Sequence, residues 1–412
     1  MSEFLTHLTC THCGQTFEAR PAEHPWMTCD TCGPEDGILS LHYDLDAVQI
    51  AWQEAPLAGR ARNHWRYAEL LPLAAESVPR SWSVGWTPLI ETPRLAQAVG
   101  VRQLWCKDEG RNPTASFKDR ASSVGVAHAR QSRKQTIACA STGNAATSLA
   151  GHAALAGMPA VIFVPSTAPE PKLAQLLVYG ARVVAVEGSY DAAYQLCTAA
   201  CEQFGWYNRN CAMNPILVEG KKTGGLEMAE QFANLDFIPD WVSVSVGDGC
   251  TITGIWKGLQ EMLVLGVITH LPRLLGVQAE QVAPIKVAQR DGQLPKLEGS
   301  TIADSINVPV PRNWRRALQA IEASQGAIVT VTDAQIQAAM RDAGASGVFA
   351  EPAAAAAVAG LQPAIEAGEI HRDDTVVALI TGSGLKDTQN AIAAAGQPIR
   401  IPPDLEALKQ SL

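Results

Sequence analysis

The sequence predicts an α/β protein of two lobes, each built on a parallel or mostly parallel sheet, preceded by a small zinc-ribbon-like module at the N-terminus. Three observations predict it. Two CxxC knuckles open the chain, Cys10-Thr-His-Cys13 and Cys29-Asp-Thr-Cys32. From about residue 100, short β-rich runs alternate with amphipathic or alanine-rich helical stretches. The alternation comes in two sets, and strand–helix alternation implies parallel sheets covered on both faces.

The knuckles are separated by fifteen residues. Each lets two thiolates reach one ion, and four thiolates suit a tetrahedral zinc site, closed to substrate and therefore a folding element. A ribbon that no longer holds metal is the other reading of Cys10, Cys13, Cys29 and Cys32. A nucleic-acid-binding ribbon conflicts with Glu18, Glu23, Asp30, Glu35, Asp36, Asp44 and Asp46, which repel phosphates. This module takes residues 1–46.

In the body, QLWCKDE, QTIACAST, AVIFVPS and ARVVAVEG read as strands, with helices in FKDRASSVGVAHARQ, NAATSLAGHAALAG, EPKLAQLLVYG and SYDAAYQLCTAACEQFG. WVSVSVG, RLLGVQA, AIVTVT and TVVALIT form the second strand set. The predicted division is 47–110 with 226–412 as a large lobe and 111–225 as a small one. Tryptophans 52, 65, 82 and 86 read as the packing of an N-terminal arm on the body. Cys106, Cys139, Cys197 and Cys201 fall in apolar strand or helix patterns and read as core.

Composition narrows the function. The 412 residues are 47% hydrophobic and 18% charged, as in a globular enzyme, and the net charge of -9 argues against nucleic acid or anionic membranes as partners. MSEFLTHLTC has neither a basic nor an apolar signal region, and MLVLGVITHLPRLLGV is interrupted at His270, Pro272 and Arg273. Ten cysteines in such a chain point to a reducing compartment, so a cytoplasmic location is expected.

The loops at strand ends carry the chemistry. In NPTASFKDR, Pro113 brings the chain in extended, Ser116 is positioned to cap a helix, and Lys118 falls in its first turn. The helix dipole disfavours an ammonium there, and burial behind Phe117 lowers its pKa further, giving a nucleophilic amine; a solvated surface lysine is the bland alternative. ACASTGNAATSLAG places Ser141, Thr142, Gly143 and Asn144 between strand and helix, a cradle for an anion. SVGDGCTITG repeats the device, with Gly247 and Gly249 allowing close backbone approach. Taken singly, each loop also reads as a tight turn. Gly249 to Gly254 has P-loop spacing, but Ile255 and Trp256 stand where Lys and Ser/Thr are required. ALITGSGLKD adds the neutral hydroxyls of Thr381 and Ser383. An activated lysine, two anion loops and a neutral hydroxyl match the demands of pyridoxal phosphate.

Assembled in order, the ribbon with CGPEDGILSLHYD, then WTPLI, NPTASFKDR, STGN, NPILVEGKKTGG, VGDGCTITG, EPAAAAAVAG and TGSGLKD resemble the threonine synthase family of fold type II pyridoxal phosphate enzymes. The resemblance implies that Lys118 is the Schiff-base lysine and that Asn144 bonds the cofactor's phenolic oxygen. It implies that Gly247, Asp248, Gly249, Cys250 and Thr251 hold the cofactor phosphate and that Thr381 faces the pyridine nitrogen. Ser141, Thr142 and Asn144 would take the substrate carboxylate. The implied reaction converts O-phosphohomoserine and water to threonine and phosphate, in a homodimer. The chain departs from the family at Ala145, Cys211, Ala212 and Leu217, positions tied in relatives to the substrate's phosphate. Lys221 and Lys222 are candidate replacements. These departures keep open β-elimination, β-replacement or deamination of another small amino acid, and more distantly a non-enzymatic zinc-ribbon scaffold. Asp248 is expected to turn away from any phosphate, and the Cys250 thiol, at a helix start, is expected to have a lowered pKa.

Overall fold

The computed structural model describes residues 2–19, 27–79, 82–211 and 213–411; Glu23 and Ala212 lie outside the described residues. Three sheets organise these residues. Strands β1 (Leu5–Cys10), β2 (Thr16–Glu18) and β3 (Leu39–Tyr43) form an antiparallel sheet in the order β2-β1-β3. Its strands are short because the cysteine knuckles interrupt the chain between them.

Strands β4 (Leu89–Glu91), β5 (Gln103–Asp108), β6 (Ile137–Ala140), β7 (Ala160–Pro165), β8 (Arg182–Val186), β9 (Tyr207–Asn208), β10 (Trp241–Ser245), β11 (Arg273–Ala279), β12 (Ala327–Val331) and β13 (Thr375–Ile380) build the body. The larger sheet runs β12-β11-β10-β13-β5-β4, parallel throughout except for the edge strand β4. The smaller runs β8-β7-β6-β9, all parallel. Every residue of β10 and β13 is buried, the serines of β10 included, because helices cover both faces.

Three helices sit behind the cleft: Lys118–Gln131, Ile216–Asn234 and Cys250–Val264. Glycine lets their backbones touch. A Cβ at Gly220 would lie 2.4 Å from the Arg120 carbonyl, and one at Gly225 would lie 2.2 Å from the Ile255 carbonyl. The Ile216 helix therefore holds the starts of the other two at a set spacing. Gly220→Ala has only backbone to push against and is expected to cost about 1–3 kcal/mol in urea denaturation; an unchanged midpoint would contradict the contact.

Trp65 and Trp82 pack edge-on at 6.3 Å, and the Trp65 indole donates to the Trp82 carbonyl at 3.0 Å. Cys106, Cys139, Cys197 and Cys201 are buried in apolar clusters. Among the described residues no helix is long and apolar enough to cross a membrane.

Candidate active site

The loops singled out in the sequence all leave the carboxyl ends of strands: Ser141 after β6, Gly247 after β10 and Thr381 after β13. The segment carrying Lys118 is woven into the last of these. Ser116 bridges Gly382, Phe117 N–H donates to the Thr381 carbonyl at 2.8 Å, and Ser383 N–H donates to the Ala115 carbonyl at 3.1 Å. Ala115 takes φ +64°, a left-handed conformation that alanine adopts only under constraint.

Ser116 is not the helix cap. Phe117 occupies that position in a helical conformation, and Ser116 Oγ is buried without a partner. Asp119 tethers the turn instead, accepting from Thr114 N–H at 2.8 Å and Thr114 Oγ1 at 2.7 Å, with His152 Nε2 at 2.9 Å. The bridge to Gly382 turns the Ser116 side chain away from the helix end.

Among the described residues, nothing hydrogen-bonds or ion-pairs with the Lys118 amine. Burial first, then the nearby Lys221 and Arg209 cations, hold it below the ordinary lysine range, against the opposing pull of Cys211 and Glu351. Its environment thus favours the neutral, nucleophilic form.

Two loops present backbone donors with nothing in the protein to accept them. The N–H groups of Thr142, Asn144 and Ala145 have no acceptor among the described residues, and neither do those of Gly247, Asp248, Gly249, Cys250 and Thr251. The second set opens the Cys250–Val264 helix, where aligned donors and the helix dipole favour an anion. A free amine and an anion cradle of this kind fit the two covalent and ionic handles of pyridoxal phosphate. The Asp248 carboxylate accepts from the backbone N–H of Arg312 at 2.8 Å, so it is engaged by the 312 segment.

The Cys250 thiol departs from expectation. Its pKa is raised well above the usual value, by its hydrogen bond with Cys211 first and then by burial. Cys211 is lowered well below the usual value, by Cys250 first and then by Lys221, Arg209 and Lys118. The helix start is outweighed by this pairing.

Glu351 is a site residue that motif reading passed over. It receives the Asn144 amide on both carboxylate oxygens, at 2.9 and 3.0 Å, and a Cβ on Gly382 would sit 2.4 Å from its Oε1. Burial pushes its carboxyl up, against the Asn144 amide and the Lys118 cation. The available signal was an acid opening the buried alanine helix Pro352–Ala359. Asn144, Thr142, Glu351, Lys172, Asp304 and Lys386 border a cavity of ≈ 170 Å³. Neither Lys118 nor residues 247–251 line that cavity; Glu351 borders it and lies close enough to Lys118 to influence its charge.

Of the two candidate lysines, Lys222 is committed elsewhere, to Glu219 at 2.7 Å and Glu261 at 3.0 Å. Lys221 points to Cys211, Nζ to Sγ 3.2 Å. Leu217 is fully buried and lies against Gly125.

At the N-terminus the four Sγ atoms of Cys10, Cys13, Cys29 and Cys32 lie within 4.8 Å of one another, with Cys13 and Cys29 at 3.9 Å. Tetrahedral zinc with Zn–S near 2.3 Å requires sulfurs about 3.8 Å apart. The Cys13 thiol is lowered to about 7 by the Gln15 backbone and by Cys32, whereas Cys32 is pushed up to about 12 by Cys13. Thiols this close do not ionise together without a cation among them.

Residues 81–382 match the pyridoxal-phosphate dependent enzyme family. Over 99% of both chains, the sequence is 39% identical to the threonine synthase of Methanosarcina acetivorans. Over 98% of both, it is 38% identical to that of Methanocaldococcus jannaschii. The chain belongs to the threonine synthase family. As a threonine synthase family member it is a pyridoxal-phosphate-dependent enzyme, and the expected fold type is met. Threonine deaminase isoform 2 of Solanum lycopersicum superposes with TM-score 0.65 at 23% identity, covering 75% of this chain and 87% of that one. Diaminopropionate ammonia lyase of Escherichia coli does so with TM-score 0.67 at 18% identity, covering 82% and 93%. Both likenesses concern the fold alone.

Proposed function

We propose that this enzyme converts O-phosphohomoserine and water to L-threonine and phosphate. Similarity to curated threonine synthases along essentially the whole chain carries the reading. The Lys118 amine supports it, being lowered in pKa by burial, without a bonding partner among the described residues and on a segment bridged to the loop after β13.

In this reading Lys118 anchors the cofactor. The N–H groups of Gly247 to Thr251 hold its phosphate, Thr381 faces the pyridine nitrogen and Asn144 the phenolic oxygen. Ser141, Thr142 and Asn144 bind the substrate carboxylate. Pyridoxal phosphate, when bound, supplies an electron sink for negative charge at the substrate α-carbon. With the cofactor bound, the Lys118 amine would be the group that moves protons at Cα and Cβ. The γ-phosphate leaves, and water then adds at Cβ. The Asn144 amide would give one hydrogen to the cofactor and keep the other on Glu351, so Glu351 acts as its positioning partner.

The large lobe (47–110 and 226–412), the small lobe (111–225), a homodimeric assembly and a cytoplasmic location belong to the same proposal. So does zinc on Cys10, Cys13, Cys29 and Cys32. Ile38, whose carbonyl accepts from Thr11 N–H at 2.9 Å and Thr11 Oγ1 at 3.0 Å inside the first knuckle, packs with Val218, Cys250 and Cys211. Stripping the metal with a chelator is therefore expected to lower the melting temperature and also to loosen the bound cofactor. Metal release with an unchanged melting curve and full cofactor absorbance would reject the structural zinc.

The decisive experiment is product analysis by mass spectrometry after incubating cofactor-loaded protein with O-phosphohomoserine. Threonine with inorganic phosphate supports the reading. No turnover by fully loaded protein favours β-elimination or β-replacement on an unphosphorylated amino acid, a reading that apolar, buried Leu217 keeps in view.

A further inference from the structure

Arg209 and Lys221 are exposed by only 1% and 2%, and among the described residues neither faces a carboxylate at ion-pair distance. Arg209 donates through Nε and Nη2 to Ser122 Oγ at 3.1 and 3.0 Å, and through Nη1 to Cys211 Sγ at 3.6 Å. Among the described residues, Lys221 donates only to the same sulfur, at 3.2 Å. Elsewhere in this core buried cations meet acids: Arg120 meets Glu109 and Glu227, and Lys222 meets Glu219 and Glu261. Two buried positive charges converging on one sulfur are costly unless an anion joins them.

The location indicates which anion. Ser122 lies one turn beyond Lys118, and it bonds Ser148, one turn beyond Asn144, at 2.6 Å. Arg209 thus lies beneath both the reactive lysine and the substrate-carboxylate loop. The proposed cofactor phosphate already has its own row of backbone donors, residues 247–251. Leu217 and Ala145 offer an oxyanion nothing polar from their side chains.

We infer that Arg209 and Lys221 form a pocket for a phosphate-class dianion carried by the substrate, and that the Cys211 sulfur is the resident counter-ion which this dianion replaces. The inference rests on the proposed reaction for the identity of the substrate, but not for the existence of the pocket. The pocket delivers guanidinium and ammonium from the loop after β9 and from the Ile216 helix, in place of the positions that relatives use. Cys211 accepts from both cations, and Cys250 first and then these cations hold its thiol below the usual range, so a dianion that takes over the cations lets the sulfur take up a proton from solvent.

Inorganic phosphate titrated calorimetrically into cofactor-loaded protein tests this. Lys221→Gln and Arg209→Gln are expected to weaken phosphate binding ~10-fold or more, with cofactor absorbance at the parent's level. Cys211→Ala, which removes the competing anion, is expected to tighten it. Unchanged phosphate affinity in the glutamine variants overturns the inference. So does loss of cofactor with unchanged phosphate affinity in the loaded fraction, which would give the cations to the cofactor's own phosphate. If the glutamine variants do not fold, Cys211→Ala decides alone, and binding no tighter than the parent's overturns the counter-ion role and the pocket with it. Phosphate binding in protein that makes no threonine would refute the proposed reaction and leave the pocket standing.

Discussion

Lys118→Ala lowers turnover at least ~1,000-fold without destabilising the protein. The two halves of this expectation have the same origin. The amine makes no hydrogen bond or ion pair among the described residues, and burial disfavours its charge, so its removal deletes no stabilising contact. What is lost is the nucleophilic amine proposed to carry the reaction, on a segment bridged to the 381–383 loop. Rates measured with O-phosphohomoserine, alongside a melting curve, check both halves. Substantial remaining activity would reject Lys118 as the reactive group, and a large drop in the melting temperature of the cofactor-free protein would mean that the amine is bonded in solution.

Glu227→Gln has the opposite character, a large stability loss from a residue remote from substrate. Its carboxylate binds Lys107 and Arg120 Nη2, the latter at 2.9 Å, and accepts from Thr87 N–H at 2.9 Å, while Arg120 grips Glu109 through two bonds of 2.8 and 2.7 Å. Lys107, Arg120, Glu109 and Glu227 side chains are all fully buried. Removing one charge leaves a buried cation uncompensated, which costs roughly 3–5 kcal/mol. Burial alone would raise the Glu227 carboxyl, but Arg120 and Lys107 outweigh it and hold it well below the usual carboxylate range. A depressed folded-state pKa stabilises the fold above the unfolded value and loses that contribution as pH falls toward the folded one. The gap between parent and variant in urea denaturation should therefore be full near neutrality and narrow below about pH 4. An equal gap at about pH 3 and about pH 7 would show that the carboxylate's charge is not the stabilising element. Because Arg120 follows Lys118 by two residues, the same variant should also blur the position of the reactive amine.

Much of this was legible in the chain itself. Local spacing sets each knuckle of the cysteine cluster, period-2 and period-3.6 patterns mark the strands and helices, and glycine-rich turns at strand ends identify the anion loops because only such backbone offers free donors. The lysine of NPTASFKDR was recognisable from the helix start it occupies. The cap was not: Ser116 has the right chemistry, yet pairing with Gly382 claims its backbone and Asp119 serves the turn.

The sequence by itself determined the order of elements, the placing of Lys118 in a first helical turn, the two loops with free backbone donors and the grouping of the four thiols, since each depends on residues a few positions apart. Only the tertiary structure decided that Glu351 meets Asn144, that Asp248 engages the 312 segment, and that Arg209 reaches Cys211. Lys221 and Lys222 show the reason. Adjacent on one helix, they point about 100° apart, so one meets a thiol in the cleft and the other a pair of glutamates. No local pattern fixes how that helix is rotated; its glycine contacts with Arg120 and Ile255, about a hundred and about thirty residues away, do.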